Sequence, residues 1–232
     1  MKKRMIALLL IAVLCFATVA TGTAQGPATS TDLTWHPDNM ACVLGLSLRD
    51  DLGLSDKWYN IVPVDLTVEG TQTVDMVVSS QYYFGSATIT VANGEVTVDY
   101  ELPKVDAYVK DECLQWFTSL DEVTEDFLAN PVGAYAFGEP VSISEQLNGQ
   151  SVALLFICNR VTYAQPTGGE GLTRYYPNLD QWKSWRESLM ELLEAMKAEG
   201  AEQKTTVTTE TDREEVATDT DLDAVATGTD LS

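Results

Sequence analysis

Between residues 41 and 166, hydrophobic side chains mostly recur at every second position, which is typical of β-strands with one buried face. The clearest case is 86–102, with an Asn-Gly pair at 93–94. Asn-Gly is favoured in two-residue hairpin turns because both residues tolerate positive φ. Folding about this turn places Val91 opposite Val96 and separates an apolar face from a polar face. The pattern predicts an antiparallel hairpin.

A second Asn-Gly pair lies at 148–149, and the same reasoning predicts a hairpin that joins a strand at 141–147 to the strand that follows. In that register Val141 lies opposite Phe156. Residues 152–158 are apolar on both faces, which is typical of a strand in the middle of a sheet. We therefore expect another element to cover its second face.

Three further strands are predicted at 41–48, 61–68 and 73–84. Pro63 lacks an N–H group, so the second of these strands belongs at an edge of the sheet or beside a bulge. Short strands at regular spacing indicate a mainly β fold. We expect an antiparallel sandwich-like or meander sheet with a packed C-terminal amphipathic helix, which is α+β at the margin.

Two helices are predicted. Ser119 and Glu122 have the spacing of a capping box and predict a short helix to about Ala129. A longer helix is predicted over 178–199, followed by Gly200 as a terminator. Its apolar stripe is formed by Trp182, Trp185, Leu189, Leu192, Leu193 and Met196. Packing of this stripe against the sheet is favoured over docking on a partner or a membrane.

The N-terminus resembles a secretory leader. Lys2, Lys3 and Arg4 precede an apolar run up to Val19, and small residues follow up to Ala24. The run is short for a membrane span, so a cleaved signal peptide over 1–24 is favoured over a retained anchor. We therefore expect a secreted or extracellular protein whose mature chain does not insert into a membrane.

The segments that flank the predicted domain differ from it in composition. Residues 25–40 are rich in Gly, Pro and Thr and are expected to form a linker. The globular domain is expected over 41–200, and a disordered acidic Thr-rich tail over 201–232.

Charge narrows the choice of partners. The formal net charge is −21 and the pI is about 4.1. A chain this acidic repels nucleic acid, so no nucleic-acid partner is expected. Basic partners or divalent cations fit this charge better, although acidity that serves solubility alone is the favoured interpretation. The partner itself stays open, with a cell-surface glycan or another exported protein as the candidates.

Residues that could support catalysis are sparse. The single histidine, His36, falls in the expected linker, away from any nucleophile. The mature chain keeps Cys42, Cys113 and Cys158, which allow at most one intramolecular disulfide, and all three are interpreted as structural. The chain contains no phosphate-binding glycine loop and no dinucleotide motif. An enzyme is not the favoured class.

Aromatic side chains give the candidate binding residues. Tyr82, Tyr83, Tyr175 and Tyr176 stand in two adjacent pairs, and alternation along a strand turns at least one ring of each pair away from the core. Exposed tyrosines can stack on sugar rings or peptides, although strand tyrosines also serve packing alone. We treat these four residues as candidate ligand-binding residues.

One stretch near the C-terminus has the spacing of a calcium loop. Its oxygen-bearing side chains at the first, third, fifth, ninth and twelfth positions are Asp219, Asp221, Asp223, Thr227 and Asp230. The stretch resembles the loop of a dockerin, a calcium-dependent module that binds cohesins. Ala224 replaces the glycine of the sharp turn and a second loop is absent, so chance spacing in a Thr/Asp-rich tail is the preferred interpretation. No cofactor is expected, with Ca²⁺ as the alternative.

These observations favour an exported, non-catalytic binding or surface-interaction protein. An extracellular hydrolase acting on glycans or peptides is one alternative, and a structural envelope component is another.

Overall fold

The computed structural model describes residues 33–103, 106–166, 172–176 and 178–219, with side chains given up to Ala201 except at position 166. The leader at 1–24 and residues 25–32 lie outside this part of the chain. The ten strands that it contains are β1 (Leu33–Val43), β2 (Leu46–Ser47), β3 (Asn60–Asp65), β4 (Gly70–Val78), β5 (Tyr82–Ala92), β6 (Glu95–Glu101), β7 (Ala107–Asp111), β8 (Leu114–Phe117), β9 (Val141–Ser142) and β10 (Val152–Pro166). The helices are α1 (Glu125–Ala129) and α2 (Leu179–Asp219).

The predicted fold class is confirmed. All strand pairs among these elements are antiparallel, and the C-terminal helix packs on the sheet. Neighbouring strands follow the path β7–β10–β1–β4–β5–β6–β9, so β7 lies at one end and β6 and β9 lie at the other.

The long strand β10 organises the sheet. Its first half pairs with β3 and β8, and its second half pairs with β1 and β7. Residues 152–158 are all buried, as predicted for a strand covered on both faces. Pro63 lies in β3 beyond the two residues that pair with β2, where its missing N–H costs no ladder bond.

The hairpin of β5 and β6 is confirmed in its predicted register. Val91 pairs with Val96, and Asn93 and Gly94 have φ values of 54° and 78°. Val91 and Val96 are buried, so the apolar face of this hairpin contributes to the core.

The second predicted hairpin is wrong. Asn148 and Gly149 do form a turn with positive φ, but Val141 pairs with Val96 of β6 and not with Phe156. Residues 143–149 fold into a compact loop in which the Gly149 N–H donates to the Ile143 carbonyl. The hairpin cannot form because β3 and β8 occupy both edges of β10 at this point.

The expected linker is also corrected. Residues 33–40 form the first part of β1 and pair with β10 as far as Pro166. Their side chains are mostly exposed, so hydrophobic alternation could not reveal the strand. Hydrogen bonds to β10 hold it in place. His36 stacks on Tyr163, with ring centroids 5.0 Å apart.

The short helix begins later than predicted. Ser119 makes no side-chain cap, and Leu120–Glu122 forms only a 3₁₀ turn. The carboxylate of Glu122 instead accepts from the N–H and hydroxyl of Thr118. The five-residue helix α1 is capped by the Thr124 hydroxyl.

The long helix packs as predicted. Leu189, Leu193 and Met196 are buried against β3 and β10. The helix continues through Gly200 to Asp219, so its predicted end at Glu199 is wrong. One glycine costs a helix only about 1 kcal/mol, and the Ala, Glu, Gln and Lys residues that follow favour helix.

The rest of the C-terminal region is described only in part. Of the expected tail, residues 201–219 are helical in backbone, and 220–232 lie outside the described residues. The helices that the structure describes include none that is long and apolar enough to cross a membrane.

A disulfide joins the two central strands. Cys42 and Cys158 are directly opposite in the β1–β10 ladder, with Cα atoms 4.0 Å apart. Both side chains are buried, and Cys113 is left as a buried free thiol. The sequence had left this pairing open.

Candidate ligand-binding groove

The structure brings the two predicted tyrosine pairs together. Residues 172–176 run alongside the start of β5, where the Tyr83 N–H donates to the Thr173 carbonyl (2.9 Å). The Tyr175 N–H donates to the Gln81 carbonyl (2.7 Å). The four candidates therefore form one neighbourhood, although they are about ninety positions apart in sequence.

A β-bulge in β5 sets which side chains of this neighbourhood share a face of the sheet. Asp75 pairs with Ser86 and Val77 pairs with Tyr83, so β5 carries one extra residue between these pairs. Gly85 lies in that bulge with φ 99°. The extra residue places Tyr83 and Ser86 on the same face as Asp75.

Polar groups in this neighbourhood are largely bonded to one another. The Tyr175 hydroxyl donates to the Asp75 carboxylate, and the Tyr83 hydroxyl bonds to Ser86. Burial raises the pKa of Asp75 and of both tyrosines. Tyr82 is half-buried, whereas Tyr176 is 77% exposed. These bonds stabilise the docking of 172–176 on the sheet and leave Tyr176 as the most accessible of the four rings.

The calcium-loop candidates fall at the end of the described chain. Asp219 is the last residue of α2, and Asp221, Asp223 and Asp230 lie outside the described residues. In the part of the chain with described side chains, no three His, Cys, Asp or Glu side chains lie together so that they could share a metal ion.

Cys113 is unsuited to nucleophilic chemistry. Burial raises the pKa of its thiol to about 11, so the thiol is protonated at neutral pH. Desolvation is the main cause of this rise, because it disfavours the charged thiolate.

A groove of about 850 Å³ runs along β7. All six residues of 107–112 line it, together with Tyr100 of β6, Leu102 directly after β6, the loop 130–132, and Arg160 of β10. Its size is within the roughly 300–1,000 Å³ that is usual for ligand sites.

The two walls of the groove are opposite ends of one sheet. β7 and the end of β6 lie far apart on the strand path, yet the Tyr100 hydroxyl donates to Glu112 Oε1 across the gap (2.7 Å). Burial, reinforced by Glu112, raises the pKa of Tyr100 to about 12, so the phenol stays protonated as the donor. The sheet therefore closes on itself through side chains at this seam.

A segment of the chain fills the rest of the seam. The Tyr135 N–H donates to the Leu114 carbonyl of β8 (3.2 Å), and the Gly138 N–H donates to the Val98 carbonyl of β6 (2.9 Å). The groove is the part of the seam that this segment leaves open.

Exposed aromatic rings lie on the outer face of the sheet beside the groove. Tyr108 is 53% exposed and Trp35 is 50% exposed, with ring centroids 6.3 Å apart. The sequence analysis missed Trp35 because it assigned 33–40 to a linker. An isolated tryptophan in a polar segment was the one signal that could have identified it.

Charged groups at the groove are paired. Lys110 Nζ lies 2.8 Å from Asp38 Oδ1, and Arg160 lies 3.4 Å from Asp111. Lys110 lowers the pKa of Asp38 through its hydrogen bond and its charge. The rim thus carries both signs of charge around its aromatic surface.

A second cavity, of about 510 Å³, lies between the sheet and the start of α2. Trp58 and Trp182 line it, and Arg186 Nε donates to Asp51 Oδ1 there (2.9 Å). This ion pair links α2 to the loop after β2.

Comparison of the chain with protein-family models, with curated proteins and with solved structures gives no significant match.

Proposed function

We propose that this chain is an exported binding protein whose ligand surface is the β7 groove together with the neighbouring Trp35–Tyr108 pair. The observation that carries the proposal is the position of two half-exposed aromatic rings beside a groove of ligand-binding size. Large aromatic side chains provide much of the contact energy at binding surfaces, with little loss of side-chain entropy.

Export is part of the proposal. Residues 1–24 have the composition of a cleaved leader, and a disulfide between buried cysteines suits an oxidising compartment. The expected ligand is on a cell surface, either a glycan or another exported protein. Fusing residues 1–24 to a reporter tests export: the reporter is expected outside the cell without the leader, and a full-length reporter inside the cell would contradict this part.

Binding can be tested on cell-surface material with the disulfide-bonded chain that lacks 1–24. The double variant Trp35→Ala/Tyr108→Ala is expected to bind at least about tenfold more weakly, as for aromatic hot spots. Leu179→Ala is the control, because it removes a 76% exposed apolar side chain from α2, an element that does not line the groove, and it is expected to leave binding unchanged.

Two results would overturn the proposal. Equal binding by the double variant and the unsubstituted chain would exclude this surface. Turnover of a glycan or peptide panel by the same preparation would replace binding with hydrolysis as the function.

A further inference from the structure

We infer that the ligand of the groove is an extended peptide segment, which binds by adding a strand to the free edge of β7. This inference rests on the proposed function and names the class of its ligand. The edge is free in the sense that β10 is the only strand of the described chain that pairs with β7. Unpaired strand edges are templates for pairing with another chain.

Hydrogen bonding between β7 and β10 identifies the free backbone groups. The Ala164 N–H donates to the Asp106 carbonyl (2.8 Å), so this pair is hydrogen-bonded. In an antiparallel ladder hydrogen-bonded pairs recur at every second residue, and this register holds from Asp106 to Val109, after which it shifts by one residue at Lys110. The backbone N–H and C=O groups of Tyr108 therefore point towards Thr162 of β10. The backbone N–H and C=O groups of Ala107 and Val109 point away from β10.

The groove lies along this edge and not on one face of the strand. Side chains alternate between the two faces of a strand, so a cavity on one face would contact every second residue. Ala107, Tyr108 and Val109 are consecutive in the regular part of β7, and all three line the groove. A strand placed there would thus meet the outward backbone groups of β7.

The fold already uses this mode of pairing in the same seam. β8 follows β7 along β10, and the segment that begins at Tyr135 bonds to β8 on one side and to β6 on the other. An extended peptide in the groove would extend this arrangement towards the end of β7. A glycan lacks the alternating N–H and C=O groups that such an edge recognises.

The charge of the protein indicates the net charge of the peptide that the groove would bind. The groove lining carries Asp111 and Glu112 against Lys110 and Arg160, and the charge of Lys110 is paired with Asp38 of β1, so the acidic attraction comes from the whole chain, whose formal net charge is −21. A second copy of this chain would be repelled, whereas a peptide with a net positive charge would be attracted. We therefore assign the site to a basic extended segment of another exported or surface protein.

The probe is a random 12-residue peptide library panned against the disulfide-bonded chain. Basic peptides are expected to be enriched, and binding of the best synthetic peptide is expected to fall at least tenfold with Val109→Pro. This substitution removes an N–H that points into the groove and leaves the ladder with β10 intact. Val109→Ala is the matched control: it keeps that N–H and should retain binding within about threefold.

A second measurement does not depend on folding of the proline variant. Peptides methylated at single backbone nitrogens are expected to lose binding at alternate positions only, since one edge of an added strand faces β7. Hydrogen exchange should show the Val109 amide becoming protected on binding.

Peptide binding that survives Val109→Pro, or that ignores backbone methylation, would overturn strand addition. Failure to enrich any peptide, with retention of a glycan that depends on Trp35 and Tyr108, would also overturn it while leaving the proposed function in place. Loss of all binding would reject both.

Discussion

Replacing both Cys42 and Cys158 with alanine removes a covalent link between strands that are 116 positions apart in sequence. In the chain-entropy model the link restricts the unfolded chain, and a loop of this length is worth about 5 kcal/mol at 25 °C. For a protein of this size about 1 kcal/mol shifts Tm by roughly 2–4 °C. We therefore expect Tm to fall by roughly 10–20 °C.

The substitutions also remove two buried sulfur atoms, and this second cost must be separated from the loss of the link. Cys113→Ala is the matched control, because Cys113 is buried but makes no disulfide. Unfolding of the double variant, the control and the unsubstituted chain can be followed by circular dichroism with urea and with heat. Twice the control's cost is subtracted from that of the double variant.

A corrected loss of less than about 2 kcal/mol would refute the reasoning, because native disulfides usually contribute about 2–5 kcal/mol. Reductant supplies an independent check. It should destabilise the unsubstituted chain and leave the double variant unchanged.

Three further substitutions test the packing. Gly85→Ala is expected to lower the free energy of unfolding by about 2 kcal/mol or more, since φ is 99° and the new Cβ would lie 1.9 Å from a carbonyl oxygen of β6. Gly70→Ala is the control: a Cβ at this position would meet open space, so the same urea titration should show almost no change. Burial raises the pKa of the Asp75 carboxyl above its ordinary value of 3.8, so this carboxyl binds a proton more tightly in the folded chain than in the unfolded chain. Its contribution to the free energy of unfolding therefore falls as the pH rises from 3.8 through the raised pKa of the folded state. Asp75→Asn should therefore gain stability relative to the unsubstituted chain with rising pH, and a constant difference would contradict this. Leu193→Ala should lower the free energy of unfolding by about 2–5 kcal/mol in thermal melting, because Leu193 is buried. Leu179 is 76% exposed, so Leu179→Ala should lower it by under about 0.5 kcal/mol. Equal losses for the two variants would mean that α2 does not pack on the sheet.

The local sequence determined those parts of the fold that depend on interactions between residues close together in the chain. The Asn-Gly turn at 93–94 and the alternation around it specify the β5–β6 register, because turn geometry and one buried face leave a single pairing. The same holds for the stripe of α2, where spacing at three and four places Leu189, Leu193 and Met196 on one side.

The turn at 148–149 shows where this reasoning stops. Its positive φ values follow from the residue types, but its hairpin does not form, because the partners of β10 come from distant parts of the chain. The end of α2 shows the same limit, since one glycine is too weak a signal to end a helix.

The candidate site depended almost wholly on tertiary structure. The sequence contains Trp35 and Tyr108 as isolated aromatic residues 73 positions apart, and neither belongs to a motif. They become neighbours because β1 and β7 flank β10 on opposite sides, and the groove exists because the two ends of the sheet meet without pairing. Hydrophobic alternation reports only which face of a strand is buried, whereas strand order is decided by the packing of the whole core. The seam between β6 and β7, which are consecutive in sequence but do not pair, therefore has no signature in that pattern.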